Sequence, residues 1–288
     1  MVAGFRRSLS LPKPKPTAPE KPYHVRSTSL PNRSHPSISQ LRDQLQSLKS
    51  WETQADRGTS AWLCAGLNQL KHMHDSLDDL LQLPQSQESL RRGSYWVEQL
   101  LEDSLRFVDV YGIIRAALVS LKEEQLAAQV AIRRRDDSKI SSFIKAQKKI
   151  QREMSKIVSV VRDIGRSDAT ITVSDADAEL VVFVREVKAA TVAVSVSVLC
   201  GVSWPSKSWK PLGSWVGLKR KAKMEDWMVR EFEEAGAENL GRWREDEKRA
   251  LRRLEVLEEC IVGIEKESER VFRSLINARV SLLNVLTQ

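Results

Sequence analysis

From Ile38 onward, apolar residues recur three and four positions apart along most of the chain. That spacing puts them on one face of a helix and leaves few other folds open. Ile38, Leu41, Leu45 and Leu48 make the first stripe, extended by Trp51, with Ser37 placed as its N-cap. A second helix is predicted from Ser60 to Leu83 through Leu63, Leu67, Leu70, Met73 and Leu77, and Pro84 should stop it. A third runs from Ser94 to Arg135 and a fourth from Ser138 to Ile164, with Gly165 as the C′ residue after it. Between them, Arg133–Asp137 reads as a polar turn or a solvated helical stretch. Met224–Thr287 reads as one or two long helices, with Gly236 and Gly241 as breaks near the middle.

The segment Ala176–Val202 pulls in two directions. Its valines favour strand locally, and Val192 to Val198 alternates as a half-buried strand would. No second strand-like segment exists to pair with it, so a core helix is expected, tertiary context overriding propensity. Trp204 to Gly217, punctuated by Pro205, Pro211 and Gly213, reads as a loop.

Residues 1–36 differ in kind. Seven of the ten prolines fall there, and seven Lys/Arg stand against Glu20 alone, so this segment holds +6 of the chain's +8. With little to bury, it is expected to be a disordered tail. The expected architecture is all-α: an elongated bundle of about six helices over residues 37–288, preceded by that tail. Residues 1–36 lack the apolar stretch of a secretory signal peptide. The body is nearly neutral, which argues against a nucleic-acid interface. At 41% hydrophobic and 29% charged, the chain is not a multi-span membrane protein. Cys64, Cys200 and Cys260 are odd in number and far apart, which suits a reducing, cytoplasmic setting better than a disulfide framework or a cysteine-rich zinc site.

Signals for chemistry are sparse. There is no Gly-rich phosphate loop, dinucleotide fingerprint or metalloprotease histidine pair. His72 and His74 diverge around a helix, while His72 and Asp75 share a face followed by Asp78 and Asp79. A solvated polar face explains that cluster better than a metal site. The reading is a non-enzymatic protein with no catalytic residues, no metal and no cofactor.

The tail carries the sharpest motif. Arg7-Ser8-Leu9-Ser10-Leu11-Pro12 and Arg26-Ser27-Thr28-Ser29-Leu30-Pro31 are two copies of Arg-Ser-x-Ser-Leu-Pro, nineteen residues apart. Each matches the phosphoserine pattern read by 14-3-3 proteins. Arg7 and Arg26 suit a basophilic kinase, phosphate on Ser10 or Ser29 adds about −1.5 to −2 charge, and Pro12 or Pro31 turns the chain out of a groove. Two sites on one tether fit a dimeric reader. Against this stand a chance match and an organelle transit peptide.

Residues 187–224 have no Asp or Glu and seven basic residues, Lys188 first among them. Trp204, Trp209 and Trp215 are interleaved with Lys207 and Lys210, a composition suited to a membrane interface and anionic lipid. The plainer reading is a core helix followed by a Trp-anchored loop. Lys219–Lys223 is also a weak match to a nuclear import signal. In the C-terminal helix, Leu251, Leu254, Ile261, Ile264, Leu275 and Leu282 form a near-heptad seam, which packs within the chain or self-associates. Val271-Phe272 and Leu282-Leu283 widen the stripe and favour packing within the chain.

Three blocks carry a family resemblance. His24–Pro36 (HVRSTSLPNRSHP), Leu70–Pro84 (LKHMHDSLDDLLQLP) and Phe272–Gln288 (FRSLINARVSLLNVLTQ) resemble the N-terminal, next and C-terminal signatures of the plant-specific BYPASS-like family. The resemblance implies a role in root and shoot development or stress signalling through protein partners, with no established enzymatic activity and no catalytic residues to carry over. The Arg7–Pro12 copy departs from the family's pattern, so two-site docking belongs to this sequence rather than to the family.

Overall fold

The computed structural model describes residues 36–93, 95–166, 178–203, 229–240 and 242–287. Among them every regular element is helical: α1 (Pro36–Glu52), α2 (Ser60–Leu81), α3 (Pro84–Arg92), α4 (Tyr95–Arg134), α5 (Asp137–Arg166), α6 (Ala178–Gly201), α7 (Arg230–Glu234), α8 (Ala237–Leu240) and α9 (Glu247–Thr287). Six of these are long, as the periodicity predicts. At 41 residues, α9 rises about 60 Å and sets the length of the bundle.

Local chemistry decides where the helices begin. Thr59 caps α2, its hydroxyl accepting the amide of Trp62 at 3.1 Å. Glu231 of α7 reaches the same helix end and accepts from the Ser60 amide at 3.3 Å and the Ser60 hydroxyl at 2.5 Å. A carboxylate there meets orphan amides and the positive end of the helix dipole. Asp136 caps α5 through the amides of Ser138 and Lys139. Arg135 makes the turn before it at φ 57°, so Arg133–Asp137 ends one helix and starts the next.

Several boundaries differ from the sequence reading. Pro36 is the first residue of α1, so Ser37 lies within the helix rather than capping it. Pro84 follows the end of α2 but also opens a short helix of its own, α3. Proline at the first helical position loses nothing, because that amide would have no intrahelical partner. Gly165 lies buried inside the last turn of α5 rather than past its end. The long C-terminal helix starts at Glu247, not near Met224: Phe232 belongs to α7 and Leu240 to α8, with Gly236 in the turn between them.

The helices are joined in a ring. α4 and α5 form an antiparallel hairpin, α5 packs on α6, α6 on α2, α2 on α9, and α9 returns to α4. α1 lies outside, against α2 and α6. The Val-rich segment is helical, as expected, and buried all round from Val194 to Gly201. Its hydroxyls are satisfied within the helix: Thr191, Ser195 and Ser197 each donate to the carbonyl four residues earlier, at 2.6–2.8 Å. The apolar seam of α9 is spent inside the chain, on α4 and α2, with Leu254, Ile261, Ile264, Val271 and Leu275 buried.

Candidate functional site

A cleft lies between the start of α4 and α6. α4 has 40 residues and α5 has 30, and they run antiparallel from the turn at Arg135. The first turns of α4 therefore extend beyond Arg166, the last described residue of α5. Over that stretch α4 faces α6 with no described helix between them, and the end of α2 and the end of α9 complete the walls. The cleft is partly open and has a free interior of about 70 Å³.

Its two sides differ in character. α2 and α9 contribute Leu77, Leu81, Leu275 and Leu282. Across from them, α4 and α6 place charge on an apolar frame. Lys188 Nζ lies 2.8 Å from Asp103 Oδ2, and the two side chains are only 10% and 6% exposed. Gln99, one turn before Asp103, donates Nε2 to Asp103 Oδ1 at 3.0 Å. Both carboxylate oxygens are thus engaged and the side chain is fixed. Arg185 precedes Lys188 by one turn on the same side. Taking two ions out of water is costly, so such a pair is poor evidence of stabilisation and invites another explanation.

Behind the pair runs a second polar row. Thr191 donates its hydroxyl hydrogen to Val187 O at 2.8 Å, so it accepts from His74 Nε2 at 3.0 Å. Nε2 therefore carries a proton. Burial pushes its pKa down to about 4, opposed by the Asp75 carboxylate. One helical turn further, Ser195 Oγ is 3.3 Å from the Tyr111 hydroxyl, whose pKa burial raises. Burial likewise pushes the Cys64 thiol up to about 11 and the Cys200 thiol to about 12, and raises that of Cys260. These thiols are poor nucleophiles as placed.

The residues singled out from sequence fall differently. Arg7, Ser10, Pro12, Arg26, Ser29 and Pro31 lie outside the described residues, as do Trp204, Lys207, Trp209, Lys210 and Trp215. Lys188, counted with the basic run, lies in α6 as the buried partner of Asp103. His72 is exposed while His74 is buried. Asp75 pairs with Lys71 at 2.5 Å and accepts from Ser274 at 2.7 Å. Among the described residues, no group of three His, Cys, Asp or Glu is placed to hold a metal ion.

The cleft itself was missed, though one signal for it was available. Asp103 interrupts the apolar stripe Trp96, Leu100, Phe107, Val110 at a position facing inward. A carboxylate on a buried stripe requires a partner.

The model of the family described as Protein BPS1 matches residues 66–285, from within α2 to near the end of α9. The chain belongs to the BPS1 (BYPASS1) family. This is a family of plant developmental proteins with no known catalytic activity. The matched span contains most of the ring of the BPS1 bundle and every residue lining its cleft, and it leaves residues 1–65, with α1 and the start of α2, outside. No curated protein and no solved structure matches the chain.

Proposed function

We propose that this BPS1-family chain acts in developmental or stress signalling by engaging protein partners, without chemistry of its own, and that its tail docks on a 14-3-3 dimer once Ser10 and Ser29 are phosphorylated. The observation that carries this reading is the duplicated Arg-Ser-x-Ser-Leu-Pro at Arg7–Pro12 and Arg26–Pro31. One match to so short a pattern means little, but two near-identical copies give both halves of a dimeric reader a site. Avidity then rises by about 10²–10⁴ if the linker spans them. The helical body supports the non-enzymatic part. Its thiols are held protonated by burial, and its buried histidine is neutral and already hydrogen-bonded.

Affinity purification from plant tissue tests this, comparing the intact chain with Ser10→Ala/Ser29→Ala. Co-purification of 14-3-3 proteins with the intact form alone is the expected result. Identical partner lists lacking them would overturn the docking mechanism. A peripheral membrane role is the second reading, favoured by Trp204, Trp209 and Trp215 among lysines in a stretch without acidic residues. No helix among the described residues is long and apolar enough to cross a membrane, so such contact would be interfacial. Flotation with anionic liposomes that ignores phosphorylation and fails on replacing the three tryptophans would establish it.

A further inference from the structure

We propose that the outer face of α4 pairs antiparallel with the same face of a second copy of this chain, forming a two-fold symmetric dimer. α4 is apolar on both sides. Its inner stripe, with Val110, Ile114, Leu118 and Leu121, is buried in the bundle. On the outer side, Glu123 is the one charged residue exposed between Ile113 and Val130. Ile113, Val119, Leu126 and Val130 are each 40–44% exposed there, with small residues between them. The other long outer faces are charged: α5 presents Lys148, Arg152 and Lys156, and α9 presents Glu259, Lys266 and Arg273. A helix apolar all round is ordinarily covered all round, and no described helix covers this side of α4.

Charge identifies the missing cover as a second copy. Glu98, Glu102 and Asp109 are exposed at the N-terminal end of this face, with the half-buried Arg106 among them, and Arg133 and Arg134 are exposed at the other end. The face is thus complementary to itself when inverted. Turned antiparallel about an axis level with Ala117 and Leu118, it sets Glu102 of each copy against Arg133 of the other, Leu105 against Val130, and Glu123 beside Gly112. A parallel pair would set acid against acid. The helix dipole accounts for charges in the terminal turns, but its effect fades within a turn, and Glu102 and Asp109 lie deeper.

Gly112 is a second mark of the same contact. A Cβ there would meet only Phe272, at an ordinary 3.8 Å, so packing within the chain does not call for glycine, although glycine inside a helix is destabilising. A backbone drawing close from outside does call for it. The 40 residues of α4 rise about 60 Å, and a strip about 10 Å wide along them covers about 600 Å² on each copy. The total of about 1,200 Å² is the lower end for a specific interface, so the dimer is weak and exchanges with monomer.

Sedimentation equilibrium of the full chain, from micromolar to hundreds of micromolar, tests this. The expected result is reversible dimerisation with a dissociation constant in the micromolar range. Val119→Lys should weaken it by about tenfold or more with the helical circular dichroism unchanged. Glu102→Arg alone should weaken it several-fold, and Glu102→Arg combined with Arg133→Glu should restore it, a recovery that only antiparallel pairing explains. Gly112→Ala should raise the urea midpoint of dilute monomer yet weaken the dimer. A monomer throughout, a dimer indifferent to Val119→Lys, or a double reversal that recovers nothing would each overturn it. A benzoylphenylalanine photocrosslinker at position 119 reads the occupant directly, and adducts to α4 of a second copy are expected. Adducts confined to residues 1–35 of the same chain would overturn the proposal, assigning the face to the tail. Pairing through α4 does not require phosphorylated Ser10 or Ser29, so either reading can fail without the other.

Discussion

Trp51 and Trp62 hold each other by two reciprocal hydrogen bonds. The Trp51 indole donates to the Trp62 carbonyl at 2.8 Å, and the Trp62 indole donates to the Trp51 carbonyl at 3.1 Å. Their rings are stacked at 4.3 Å, and both side chains are buried. The pair fastens the end of α1 to the start of α2. Trp51→Phe keeps most of the ring contact and removes one buried bond, so it should cost about 1–2 kcal/mol. Trp51→Ala should cost about 3–5 kcal/mol. Urea unfolding midpoints check both.

Gly66 bears on the same ring. A Cβ built there would overlap the Cζ2 and Cε2 atoms of Trp51. Replacing a mid-helix glycine by alanine ordinarily gains about 0.5–1 kcal/mol. Here overpacking of about 1–3 kcal/mol opposes it, and the indole cannot retreat without breaking its bond to Trp62. Gly66→Ala should therefore lower the unfolding midpoint, the reverse of the usual sign.

His74 makes stability fall with acid. Burial lowers its folded pKa to about 4 from the usual 6.5, so the unfolded chain binds the proton more readily. The contribution is fully present above about pH 6.5 and is lost as pH falls through 6.5 towards 4. Over that window about 3 kcal/mol is at stake. His74→Gln should flatten the dependence between pH 7 and pH 5, read from denaturant midpoints at each pH.

The ion pair at the cleft should behave non-additively. Lys188→Met or Asp103→Leu alone strands a buried charge and should destabilise by about 3–5 kcal/mol. The double replacement should recover most of that loss. A double-mutant cycle in urea measures the coupling. Additive losses would mean that the 2.8 Å contact contributes nothing.

The thiols give a test of burial. With pKa values pushed up to about 11 for Cys64 and about 12 for Cys200, and raised for Cys260, native protein should react slowly with a disulfide reagent at pH 8. In denaturant all three should titrate at once. A fast-reacting single thiol in the folded protein would contradict the placement.

The long helices were legible because each carries its own apolar period, whatever it packs against. α6 was the exception: its valines argue for a strand, and only the absence of a pairing partner argued for a helix. Short elements were harder. Pro84 signals an end and a beginning with the same residue, and the turn at Gly236 interrupts what reads as one stripe through Phe232, Leu240 and Leu251. The cleft was illegible as a whole, since it is assembled from Leu77, Asp103, Lys188 and Leu282 on four different helices. Nothing in the spacing along one helix reveals which residues of another lie across from it. Asp103 and Lys188 are 85 residues apart, and only the packing of α4 and α6 brings them together.

Because α9 closes the ring against both α2 and α4, the order of synthesis and the order of assembly cannot coincide. A ribosome that has finished α6 has released two helices whose buried faces still await a partner more than a hundred residues away. Contacts of such separation form slowly and late. Until Glu247 onward emerges, the faces of α2 and α4 that α9 covers stand open. A chain arrested before that point should accumulate as a chaperone-bound or aggregated species rather than as a smaller folded bundle.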